Sequence, residues 1–162
     1  LQVFFDIESV PLDTDVVATF ELVEGSRQSG QEIVMGVAGL RERQILMLRP
    51  KNPGILDRFG VPENSKTWNS LPPSIFRSAI LRPLIDMDEE EAAGLGYLAF
   101  VKSATEAIQL VSAGEYQLAF LLRPVPLSAL KRIADDQEQL PPKSTFFYPK
   151  LPTGLVFYGL SD

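Results

Sequence analysis

The chain contains neither cysteine nor histidine. Without cysteine there can be no disulfide, no thiolate metal site and no cysteine nucleophile. The same absence fits a reducing compartment, and the expected location is cytoplasmic. Without histidine, the commonest general base and the commonest transition-metal ligand are both missing. Any catalysis would rest on Asp, Glu, Lys or Tyr, or on groups supplied from outside the chain, so no residue is assigned a catalytic or metal-ligating role. No apolar run approaches the roughly 20 residues needed to span a bilayer, and no membrane partner is expected. Basic residues are outnumbered, 15 against 21 acidic, for a net charge of -6. A broad nucleic-acid-binding face needs clustered Lys and Arg, so nucleic acid is not an expected partner either.

What remains is ordinary for a globular domain. The 162 residues are 45% hydrophobic and 22% charged, enough for a single domain with a real core. The chain opens at Leu1 and runs straight into Val3-Phe4-Phe5, which reads as an interior cut. The expectation is one α+β domain over 1–162, the C-terminal piece of a longer protein. Its first part, 1–50, is β-rich, and 65–162 alternates helices with strands around a mixed sheet.

In the first part, Val3 to Ile7 and Val16 to Val23 are strand candidates, with a helical turn competing for the second. Glu32 to Leu40 and Gln44 to Arg49 form the clearest pair, with Arg41-Glu42-Arg43 as the hairpin loop. Beyond a connector over 55–67, Pro72-Pro73 can open a helix, because a first turn does not need their missing N–H groups. Ile75, Phe76, Ala79, Ile80 and Leu84 follow at helical spacing, and Pro83 should bend or end the helix. Tyr97 to Val101 reads as a strand. Ser103 to Glu106 reads as a capping box, leading a stripe of Ala104, Ala107, Ile108 and Val111 that stops at Gly114. Gln117 to Leu122 is the next strand. Leu127, Leu130, Ile133 and Ala134 share a helix face, and Leu155 to Tyr158 is the last strand.

Several short motifs match known chemistry by letter alone. Asp86, Asp88 and Glu90 alternate like the start of a calcium loop, but Glu91 stands where glycine is required and Tyr97 where a bidentate glutamate is required. A helix N-terminus that favours negative charge accounts for the run. Gly94-Leu95-Gly96-Tyr97-Leu98-Ala99 fits a dinucleotide pattern but lacks the strand before and the helix after. Ser128-Ala129-Leu130-Lys131 matches the serine–lysine spacing of penicillin-recognising enzymes without their partner motifs.

The least generic stretch is Pro141-Pro142-Lys143-Ser144-Thr145-Phe146-Phe147-Tyr148-Pro149-Lys150-Leu151-Pro152-Thr153-Gly154. Its Lys-Ser-Thr is not the end of a P-loop, since Pro141 and Pro142 offer no N–H to a phosphate. The X-Pro steps hold it extended. Lys143 and Lys150 with Ser144 and Thr145 could hold a phosphate or carboxylate through charge-assisted bonds. The plain structural alternative has the aromatics filling the core and the lysines facing water.

The run from Leu140 to Val156 resembles the C-terminal signature of the bacterial and archaeal family called domain of unknown function 1015. Gly114 to Pro124 is similar to that family's strand before the final helix, and Ser70 to Leu84 to its helix ending in a proline step. The resemblance covers about residues 65–160 and implies an upstream Asp-Gly-His-His-Arg-Tyr motif. That motif is similar to the nucleotide-binding box of the ParB-type superfamily, which includes CTP-binding partition proteins and kinases that phosphorylate free serine. It is absent here, so the resemblance implies no cofactor in this stretch and a nucleotide only in the longer protein. Lys143, Ser144, Thr145, Tyr148 and Lys150 carry over as ligand-binding candidates. Two functions stay open. One is a phosphate- or nucleotide-binding protein, a small-molecule kinase among them, that takes a phosphate-bearing small molecule. The other is a non-catalytic scaffold whose partner is the N-terminal region of the same protein.

Overall fold

The computed structural model describes residues 1–15, 35–51, 54 and 57–145. Four strands form one sheet in the order β1-β3-β2-β4: β1 Phe5–Pro11, β2 Met35–Arg41, β3 Gln44–Pro50 and β4 Ala119–Leu122. Among the described residues five α-helices and a 3-10 turn, Asp57–Phe59, accompany them. The α-helices are α1 Lys66–Asn69, α2 Pro72–Ile75 (continuing as a π-helix over Phe76–Ile85), α3 Glu89–Gly94, α4 Ala104–Ser112 and α5 Leu127–Asp135. The chain is α+β. All three strand pairings are antiparallel, so among the described residues the sheet is not the mixed one expected.

Strand β3 organises the rest. Ile45, Leu46, Met47 and Leu48 are all buried, because side chains alternate between faces and helices cover both. On one face Leu46 and Leu48 join Phe5, Met35 and Val37 beneath Ile75, Phe76, Ala79, Ile80 and Leu81 of α2 and its extension. The Phe76 ring tilts against Phe120 at a centroid distance of 4.9 Å. On the other face Ile45 and Met47 pack with Ala38, Ala119 and Leu121 under Ala104, Ala107, Ile108 and Val111 of α4. The stripe read from sequence is therefore the face α4 buries. Each such large apolar side chain contributes about 1.5–3 kcal/mol through removal from water, an upper figure because the unfolded chain is itself partly collapsed.

The β2–β3 hairpin is tighter than the expected loop. Arg41 pairs with Gln44, so Glu42 and Arg43 alone make the turn, and Arg43 takes the left-handed φ of 57° that Gly or Asn usually supplies. The pairing shifts register between Ala38 and Arg41, where Gly39 has a φ of 99°.

Elsewhere the structure departs from the expectations in instructive ways. Tyr97 to Val101 is not a strand: Gly96 and Tyr97 close the end of α3 by donating to the Ala93 and Ala92 carbonyls. Pro83 does not end its helix, which runs to Ile85 in the wider π register and stops at Asp86 with φ 60°. Leu84 consequently lies past the covered face and is 47% exposed. On α5 only Ile133 is buried, while Leu127 and Ala134 are exposed. The expected strands Val16 to Val23 and Leu155 to Tyr158 lie outside the described residues.

Candidate functional site

Three helices end alike, with the residue after the C-cap in the left-handed region and paired bonds back to the last turn. For α3 and α4 that residue is Gly96 or Gly114, each with φ 76°. For α5 it is Gln137, φ 56°, whose N–H donates to the Ala134 carbonyl while Glu138 N–H donates to that of Ile133. This geometry reverses the chain and lays residues 138–141 against α1.

The receiving surface is built by Asn69. Its Oδ1 accepts from Val61 N–H at 2.8 Å, and its Nδ2 donates to the carbonyls of Val61, Asn64 and Ser65 at 3.0–3.1 Å. The side chain thus gathers the loop before α1 into one shape. Ser65 caps α1, its Oγ accepting from Trp68 N–H at 3.1 Å. The free N–H of Ser65 donates to Glu138 Oε1 at 2.6 Å. Trp68 Nε1 donates to the Gln139 carbonyl at 2.8 Å, and Pro141 is buried. The second Glu138 carboxylate oxygen is buried with no hydrogen-bond partner.

The chain then turns at Pro141-Pro142-Lys143-Ser144. Ser144 N–H donates to the Pro141 carbonyl at 3.3 Å, and Lys143 sits third in the turn with φ 59°, a place that favours glycine. Pro142, second in the turn, has the φ this geometry needs. Of the sequence-derived candidates, Lys143 and Thr145 are exposed, whereas the Ser144 hydroxyl donates inward to the same Pro141 carbonyl. Both Ser144 donors are therefore spent on one carbonyl. Tyr148 and Lys150 lie outside the described residues.

The other motifs resolve simply. Asp88 caps α3 by accepting from Glu91 N–H at 2.8 Å. Glu89, in the same acidic run, is only 9% exposed and meets Arg77 Nε at 2.9 Å, joining α3 to the π segment. Ser128 and Lys131 are both exposed on α5. Ser103 Oγ accepts from Glu106 N–H at 3.1 Å, the first half of the capping box. Among the described residues no group of three or more carboxylates could hold a metal ion, and no helix is long and apolar enough to cross a membrane. A shallow cleft of about 140 Å³ lies over the β1–β3 pair, lined by Asp6, Ile7, Glu8, Met47 and Arg49, none of them a sequence-derived candidate.

Sequence reasoning missed Ser65, Trp68, Asn69 and Glu138. The available signals were a lone tryptophan just after the segment read as connector and a Ser three residues before it, inside that segment. No family model, no curated protein and no solved structure matches this chain.

Proposed function

We propose that this chain serves as a non-catalytic scaffold domain, with residues 138–144 docked onto α1 as a structural joint. The observation that supports it best is the inward commitment of the polar groups there. Ser144 spends its hydroxyl and its N–H on Pro141, Glu138 holds Ser65, and Trp68 holds Gln139. An anion arriving at Lys143 would find that ammonium and the Thr145 hydroxyl, but not the Ser144 donors on which a built phosphate site would draw. The family resemblance suggests the partner: the histidine-containing part of a longer polypeptide, where nucleotide chemistry would then reside.

The competing phosphate- or nucleotide-binding reading rests on exposed Lys143 and Thr145 and on Lys150 as a sequence candidate, and one experiment separates the two. In the full-length polypeptide, Lys143→Ala with Lys150→Ala is compared with wild type for binding of CTP, ATP and inorganic phosphate by titration calorimetry. The scaffold reading expects unchanged binding. A tenfold or greater loss of affinity in the double variant overturns it in favour of the anion site.

A further inference from the structure

We propose that residues 138–144 form a strap that detaches from α1 as a unit while the sheet and its covering helices stay folded. The inference rests on the docked geometry alone and holds whether or not the lysines bind an anion.

Both ends of the strap stand in a backbone region that disfavours side chains. Gln137 has φ 56° and Lys143 φ 59°. The two other helices with the same terminal geometry place glycine there, at Gly96 and Gly114. A Cβ in that region crowds the following carbonyl, so each end of the strap holds strain that the glycines avoid. Among the described residues the attachments between the ends are the Ser65–Glu138 bond, the Trp68–Gln139 bond and the burial of Pro141, with Leu140 half-buried beside it. The buried, unpartnered second oxygen of Glu138 removes part of what the first bond gains. By contrast, Leu46 and Leu48 on β3 are 5% and 0% exposed, in a strand paired on both sides. Segments held by few contacts and strained at their ends open locally long before the core does.

Opening frees the Ser65 N–H and the Trp68 indole N–H. The strap is thus a local conformational joint that follows α5.

The lone tryptophan makes the test direct, since its indole proton gives a single resolved signal. Hydrogen exchange is measured by NMR in native buffer for the Trp68 indole and Ser65 amide protons, and for the Leu46 and Leu48 amides. The expected result is a shared opening rate for the two strap protons, with protection at least tenfold below that of Leu48. Gln137→Gly and Lys143→Gly should each raise Trp68 protection about two- to fivefold by relieving the strained end. Trp68 protection within tenfold of Leu48 would overturn the proposal. So would a failure of both glycine variants to raise it.

Discussion

Gly39→Ala is expected to be among the most damaging single-methyl additions this domain can receive. The residue has φ 99°, and a Cβ built on it would lie 2.1 Å from the carbonyl oxygen of Gln117. Contacts below 3.0 Å are essentially never made by real Cβ atoms, so the backbone itself must move by about 1 Å. Gln117 leads directly into β4, whose residues 119–122 pair with 35–38 of β2, so that movement pulls on the sheet. The backbone term alone is about 1–3 kcal/mol. Displacing the approach to β4 loosens Ala119 and Leu121 in the α4-side core, adding about 2 kcal/mol or more. The sum, roughly 4 kcal/mol, is a large share of the 5–15 kcal/mol typical of a domain. Gly114→Ala is the control. It shares a positive φ, 76°, but its Cβ would meet nothing within 4 Å, so only about 1 kcal/mol is expected. Urea unfolding followed by far-UV circular dichroism, at matched m-values, gives both numbers. If the two variants fall within 1 kcal/mol of each other, the close approach of Gly39 to Gln117 is not what holds β2 and β4 in place.

Asn69→Ala removes one acceptor and three donor contacts that shape the loop before α1, and about 2–3 kcal/mol of destabilisation is expected, read by thermal or urea unfolding. Asn69→Asp should be nearly as harmful, because a carboxylate cannot donate to the three carbonyls. Arg77→Ala should cost about 1 kcal/mol: its side chain is 33% exposed, and the loss falls mainly on leaving Glu89 buried without its partner. If Glu89→Gln added to Arg77→Ala recovers none of that loss in a double-mutant cycle, the pair does not couple α3 to the π segment.

The parts of this fold legible in the sequence are those where local chemistry and tertiary context agree. Glu32 to Leu40 and Gln44 to Arg49 announce a hairpin, Ser103 caps α4, and Gly114 ends it, each through contacts within a few residues. The misreadings come where context decides. Tyr97 to Val101 has strand composition, but among the described residues no strand pairs with it, and its start is consumed in closing α3. Pro83 bends or ends an α-helix by rule, and of these two outcomes the end is not taken, since the helix runs on to Ile85 in the π register. Of the candidate site, Lys143, Ser144 and Thr145 were visible as an unusual run. Which way Ser144 points depends on a turn whose left-handed residue is a lysine, a choice that no propensity announces. Glu138 bonds Ser65 across 73 residues of sequence and Trp68 bonds Gln139 across 71, and only the folded chain joins them.

The strand order also sets a timetable. Strands β2 and β3 are linked by two residues, so their pairing closes almost no loop. β1 must reach past β2's place in the sequence to find β3, and β4 arrives at β2 across roughly 80 residues, which costs about 3 kcal/mol more in closure entropy than the hairpin turn. The hairpin is therefore expected to assemble first and to serve as the template on which both outer strands are recruited. Leu46→Ala should slow refolding, whereas Leu121→Ala should mainly hasten unfolding, a contrast the two arms of a chevron plot separate. A slowed folding arm for Leu121→Ala alone would mean that the longest loop closes first.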